Sequence, residues 1–261
     1  MNGYIPWYRF KKRNKRRSRL DMFIYWTLVP WGLMIPLKLI YRHRMIRRDH
    51  LPKTGGALVV CNHQTMFDGM IGGIMLNERG GRPFARKTLK SDSRLLGWFI
   101  SKYETIFVDL EDPGPSSLKE AVKELRDEGI VMLFPEGTRC TKGPVQPLQP
   151  GVWLLIRRGG APIVPMAVDG VLDVMPPEGG LKFKGRVAVM MAEPIPSEQL
   201  IEMGRDKALA HLRLVMDDLR MELRRDLRSR SNGRWPSKGT GDQSLRELEE
   251  GSVSTPASNG D

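Results

Sequence analysis

Between Ala57 and Met191 the chain alternates short apolar runs with longer amphipathic ones, and this alternation leaves few folds open. The apolar runs fall at residues 57–61, 83–87, 105–108, 130–134, 163–168 and 186–191. The first, Ala-Leu-Val-Val-Cys, is β-branched-rich and follows Gly55-Gly56, as a buried strand should. Helical stretches are expected at 67–77, 93–102, 116–128 and 151–158. The third is the clearest: Ser116 or Ser117 caps it, Leu118, Val122 and Leu125 line one face, and Gly129 ends it. Strands separated by helices imply an α/β fold, with a largely parallel central sheet flanked by helices. A last helix, from Ser197 to about Arg228, grows steadily more basic.

Two polar clusters stand where strands run out. Cys61-Asn62-His63-Gln64-Thr65-Met66-Phe67-Asp68-Gly69 follows the first strand, and Phe134-Pro135-Glu136-Gly137-Thr138-Arg139 follows Ile130-Val131-Met132-Leu133. Open α/β sheets place their chemistry at the carboxyl ends of strands. In a regular helix, residues five apart do not share a face. His63 and Asp68 therefore meet only if His63 lies in the loop or first turn and Asp68 reaches back. A carboxylate so placed fixes the imidazole tautomer and stabilises the imidazolium formed when His63 takes a proton. This is the base half of a hydrolase triad with no evident nucleophile. Cys61 is the one nearby thiol, and it shares a face with His63 only if the strand continues that far. No P-loop, dinucleotide fingerprint or Gly-x-Ser-x-Gly elbow is present.

Together, Asn62 to Asp68 and Phe134 to Arg139 resemble the first and third signature blocks of the glycerophospholipid acyltransferase family, and within it the bacterial-type 1-acylglycerol-3-phosphate acyltransferases. The resemblance runs over about residues 50–195 and implies acyl transfer from a thioester to the free hydroxyl of a lysophospholipid. It implies His63 as base and Asp68 as its orienter. Asn62, Lys87, Glu136, Gly137, Thr138 and Arg139 are then the substrate-binding residues, and Ile163, Val164 and Pro165 mark a fourth block linked to the acyl donor. Gly97-Trp98 and Phe107-Val108-Asp109 correspond to the second block, and Pro150-Gly151 to a glycine leading into the next helix. The pattern commonly has an Arg after that Asp, where this chain has Leu110. A different lysolipid acceptor, such as a lyso-aminolipid, is the competing substrate; a thioesterase and a non-catalytic lipid-binding protein are competing functions.

A base without a nucleophile suits this chemistry. The thiol leaving group has a pKa of about 8.5 and departs easily as thiolate, whereas the acceptor alcohol needs deprotonation. Acyl-CoA or acyl carrier protein would be the co-substrate, with no cofactor. The two cysteines and four histidines show no metal-ligand spacing, and the thiols are expected to be reduced.

The formal net charge of +12 is unevenly placed. Residues 1–50 hold 13 Lys/Arg against 2 Asp/Glu, whereas the other 211 hold 29 against 28. Nucleic-acid binding by the whole domain would spread basic residues over the fold, so none is expected. Within the basic arm, Met22 to Leu37 carries no charge but is interrupted by Pro30, Gly32 and Pro36. Its sixteen residues fall short of the ~20 needed to span a bilayer. Basic clusters on both flanks, with Trp26, Trp31 and Tyr41 near the edges, suit a segment that dips into one leaflet at the cytoplasmic face and contacts anionic lipids. A signal peptide and a buried helix are the alternatives. The expected organisation is a membrane-associating segment at 1–50, an acyltransferase domain at 51–228 and a disordered tail at 229–261.

Overall fold

A computed structural model describes residues 20, 23–76, 79–88, 94–108 and 115–253. Strands β1 (Arg44–Ile46), β2 (Ala57–Cys61), β3 (Arg82–Arg86), β4 (Ile106–Val108), β5 (Ile130–Leu133), β6 (Ile163–Asp169) and β7 (Ala188–Met191) form one sheet in the order β1-β7-β6-β2-β5-β3-β4. The five from β6 to β4 are parallel. β7 runs antiparallel to β6 and carries β1 parallel beside it. The fold is therefore α/β with a mostly parallel sheet. All six expected strands are present with small shifts at their ends. β1 has no apolar run to announce it, because it is a three-residue edge strand inside the second basic cluster.

The helices are α1 (Val29–Tyr41), which continues a π-helical turn at Ile24–Leu28, α2 (Phe67–Met75), α3 (Arg94–Ser101), α4 (Pro115–Arg126), α5 (Gly151–Gly159), the single turn α6 (Val171–Val174), α7 (Ser197–Met203), α8 (Arg205–Ser229) and α9 (Leu245–Val253). Every residue of β2 is buried, as expected where helices cover both faces of a parallel sheet. Ala57, Val59 and Cys61 face Ile71, Ile74 and Met75 of α2 and Leu37 and Tyr41 of α1. Leu58 and Val60 face Leu125 of α4, Leu155 and Ile156 of α5 and Leu212 and Met216 of α8. The strand period of two thus supplies both cores, each large side chain contributing about 1.5–3 kcal/mol by burial.

Two expectations are corrected. The single last helix is two, because Gly204 takes φ +77° and breaks the run between α7 and α8. The segment after 229 was expected to lack structure. Residues 230–253 instead lie back on α8, with Leu245 buried and the carbonyls of Gly241 and Gln243 held by Arg220. The physical reason is that partly buried Arg side chains of α8 supply the partners that a polar, apolar-poor segment needs.

No helix among the described residues is long and apolar enough to cross a membrane. α1 buries Leu37 and Tyr41 and, with Leu28 of the turn before it, points Trp31, Ile35 and Leu39 outward, the last 77% exposed. Those four recur at helical spacing on one face. Beside them stands exposed Trp98 of α3, edge-on to Tyr25, with Lys102 Nζ 5.4 Å from both ring centroids.

Candidate active site

The site forms where β2 and β5 end side by side, with Val60 opposite Leu133. Immediately past β2 the chain turns into α2 through a reciprocal cap that begins at Thr65. The Thr65 hydroxyl accepts from Phe67 N–H at 3.1 Å and donates to Asp68 Oδ1 at 3.2 Å, while Thr65 N–H donates to Asp68 Oδ2 at 2.7 Å. Gln64 N–H adds a third contact to Asp68 Oδ2, at 2.5 Å. Asp68 is thereby fixed in the first turn with no exposure, and its Oδ2 lies 3.0 Å from His63 Nδ1. This Thr-x-x-Asp cap, which the reading of the sequence did not single out, is what bends the carboxylate back to His63.

With Nδ1 donating to a buried carboxylate, the lone pair of a neutral His63 sits on Nε2. The ring stacks on Phe134 at 4.1 Å between centroids and keeps 21% of its side chain exposed. The backbone of His63 is held as firmly. Its N–H donates to Glu136 Oε1 at 2.7 Å, and its carbonyl accepts from Cys140 N–H at 2.6 Å. The two signature clusters, 73 residues apart, are thus tied together.

Glu136 is 3% exposed, and its other oxygen accepts from Gln146 N–H at 2.8 Å. Burial raises its carboxyl pKa, against the opposing effect of the Gln146 and His63 amides. Glu136 therefore clamps two backbone segments. Gly137 follows with φ +73°, and a Cβ there would lie 2.9 Å from Gln149 Cγ. Its N–H is taken by Phe134 O. Among the described residues, the amides of Glu136, Thr138 and Arg139 make no hydrogen bond, and Thr138 and Arg139 are exposed.

Other expected residues are placed differently. Asn62 is buried and exchanges two hydrogen bonds with the backbone of Val168, at 3.0 and 2.8 Å, and so splices β2 to β6. Ile163, Val164 and Pro165 are fully buried in β6 beside Leu58, Val59 and Val60. They are core residues of the sheet. Lys87 is exposed at the end of β3, and it is the preceding Arg86 whose guanidinium bonds the carbonyl of Gly137. Sequence reasoning passed over Arg86 and Gln146, and it named Phe134 without giving it a role. Leu110 lies outside the described residues. Cys61 is wholly buried, its thiol pKa pushed well up by burial and by the Asp68 and Glu136 carboxylates. Burial also pushes up Cys140, whose Sγ donates to Lys142 O. Neither has the electropositive surroundings of a reactive thiolate. Among the described residues no cluster of three or more His, Cys, Asp or Glu is placed to hold a metal.

Comparison with known proteins gives the same picture. A family model described as Acyltransferase matches residues 42–169, which include both clusters. The 1-acyl-sn-glycerol-3-phosphate acyltransferase of Bacillus subtilis is 29% identical over 185 residues, covering 70% of this chain and 89% of its own. The Saccharomyces cerevisiae protein of the same name is 30% identical over 154 residues, 55% of this chain and 48% of its own. The crystal structure of the 1-acyl-sn-glycerophosphate (LPA) acyltransferase PlsC from Thermotoga maritima superposes with a TM-score of 0.60 at 19% identity, covering 85% of this chain and 86% of that one, and shares its fold. With both motif clusters inside the matched segment and joined at one sheet edge, residues 42–169 of this chain match the acyltransferase family.

Proposed function

We propose that this chain transfers a fatty acyl group from an acyl thioester to the free hydroxyl of 1-acyl-sn-glycerol-3-phosphate, giving phosphatidic acid. The observation that carries the reading is the His63 Nδ1 to Asp68 Oδ2 contact of 3.0 Å, with the carboxylate buried and the imidazole partly open. In this reading Nε2 takes the hydroxyl proton as the oxygen attacks the thioester carbon. The C–S bond of the tetrahedral intermediate then breaks, and the proton passes to the departing thiolate of CoA or acyl carrier protein. Positioned proton transfer of this kind contributes about 10²–10⁴-fold. The unbonded amides of Thr138 and Arg139 are the candidate donors for the oxyanion. Exposed Lys87 and Arg139, with Arg86 beside them, suit a phosphomonoester. The names of the relatives support this acceptor. The outward apolar face of α1, flanked by Trp98 and Lys102, supports docking at the cytoplasmic surface of a membrane containing anionic lipid, where acceptor and product reside.

The test is transfer of labelled acyl groups from acyl-CoA and acyl carrier protein to a panel of lysolipids in mixed micelles. Wild type and His63→Ala are run side by side. Phosphatidic acid formed by wild type and reduced at least 10³-fold in the variant is expected; activity retained in His63→Ala overturns the base assignment. Leu110, where the resemblance commonly has Arg, favours one second reading: the same chemistry on a lyso-aminolipid. Transfer confined to a lipid lacking the phosphomonoester would move the substrate and keep the mechanism.

A further inference from the structure

Asp169, Asp217, Arg220 and Arg224 are buried charged side chains that touch neither His63 nor Glu136. They form two chains of hydrogen bonds that begin in the C-terminal segment and end at the two halves of the site. In the first, the Asp242 carboxylate accepts from Arg224 Nε at 2.8 Å, and Arg224 Nη1 reaches both oxygens of Asp169, at 3.1 and 3.0 Å. Asp169 Oδ1 in turn accepts from Gln64 Nε2 at 3.4 Å, and Gln64 N–H holds Asp68. In the second, Leu245 N–H donates to Asp217 Oδ2 at 2.6 Å, and Asp217 Oδ1 accepts from Val145 N–H at 3.0 Å. The next amide, Gln146 N–H, is the one that holds Glu136.

Arg220 and Arg224 fasten the segment between these two anchors. Arg220 donates to the carbonyls of Gly241 and Gln243, at 2.6 and 2.7 Å, and to Asp217 at 2.9 Å. Arg224 also donates to Ser237 O at 2.9 Å. Gly241 lies flat on the Arg224 guanidinium: a Cβ there would come within 3.0 Å of Nη2. A buried guanidinium keeps one orientation only while its donors are matched. The segment therefore fixes the orientation of Arg224, and Arg224 fixes Asp169. The segment lies outside the span matched by the family model, which ends at residue 169.

We propose that residues 237–245 are a positioning strap for the catalytic loops, with Asp242 acting through Arg224, Asp169 and Gln64 on the Asp68 turn, and Leu245 acting through Asp217 on the loop that holds Glu136. Its catalytic consequence rests on the acyl-transfer reading of that site. The strap residues touch no substrate. Their effect is to keep the His63–Asp68 turn and the 134–146 loop in one arrangement.

The deciding variant is Asp242→Asn, which keeps shape and removes charge. Hydrogen exchange at residues 62–69 and 136–147 should quicken at least tenfold, while β2 and β5 are unchanged. The transfer kcat should fall about tenfold with KM within twofold, Asp242→Glu should recover most of it, and in a Gln64→Ala background the Asp242→Asn loss should shrink below twofold. Should Asp242→Asn fail to fold, Gly241→Ala, which crowds Arg224 from the same side, replaces it with the same expected pattern. Exchange changes confined to residues 205–245, or a kcat loss that is fully additive with Gln64→Ala, would overturn the strap. A wild type without transferase activity would sink the acyl-transfer reading, and the exchange pattern would still decide the strap.

Discussion

At the residue scale the site depends on one carboxylate doing two jobs. Asp68 caps α2 through Thr65 and Gln64 and orients His63 through Nδ1. The oxygen that accepts the Gln64 and Thr65 amides, Oδ2, is also the one that faces His63 Nδ1. An Asn at this position whose amide oxygen takes that place keeps all three contacts and loses the negative charge that stabilises the imidazolium in the proposed reaction. Asp68→Asn is therefore expected to lower kcat by about 10²–10⁴-fold with little change in KM, measured in the same micelle assay. The His and Asp were legible as a pair from their place after an apolar strand. Glu136 was legible as part of the site but not as a clamp, because its partners, the amides of His63 and Gln146, are fixed only when β2 and β5 lie side by side. Asn62 shows the converse: a polar residue inside a motif whose amide group pairs with the backbone of a neighbouring strand.

At the element scale α1 and β1 carry two separable consequences. The outward face of α1 holds Trp31 and Ile35, each about half exposed. If this face docks on lipid, Trp31→Ser with Ile35→Ser should weaken binding to vesicles containing anionic lipid by at least tenfold, read by co-sedimentation, while the thermal midpoint stays within a few degrees. Between α1 and β1 lies His43, 4% exposed, whose pKa is lowered to about 4 by burial and by nearby Lys38. The unfolded chain takes up that proton near pH 6.5, but the folded chain resists it until about pH 4. The His43 contribution to stability is present above pH 6.5 and is lost as pH falls toward 4, on the order of 3 kcal/mol over that window. Denaturant titrations across this range should show a shallower acid loss in His43→Leu than in wild type; equal slopes would remove the assignment. Neither the short edge strand nor the burial of His43 could be read locally, since a basic run looks the same whether it lies in solvent or pairs with β7.

At the scale of the whole molecule, the C-terminal segment is part of the folded body. A chain ending at residue 236 would leave Arg220, Arg224 and Asp217 buried without the partners supplied by 237–245. Arg220 keeps Asp217 and Arg224 keeps Asp169, so what is lost is several hydrogen bonds to charged groups at about 1.5–3 kcal/mol each, together a large share of the ~5–15 kcal/mol that holds a typical domain folded. The truncated protein is expected to lose its cooperative thermal transition or to shift it down by ten degrees or more, measured by circular dichroism. The sequence by itself determined the alternation of strands and helices and the placement of both motif clusters at strand ends, and it set the one condition on which Asp68 could meet His63. These rest on side-chain periodicity and on the spacing of near neighbours in the chain. Tertiary structure alone decided that Glu136 grips His63, that Ile163 to Pro165 are core, and that the arginines of α8 face inward to bind the chain's end. Each of these depends on which distant group arrives to desolvate or neutralise a side chain, and local pattern carries no record of that partner.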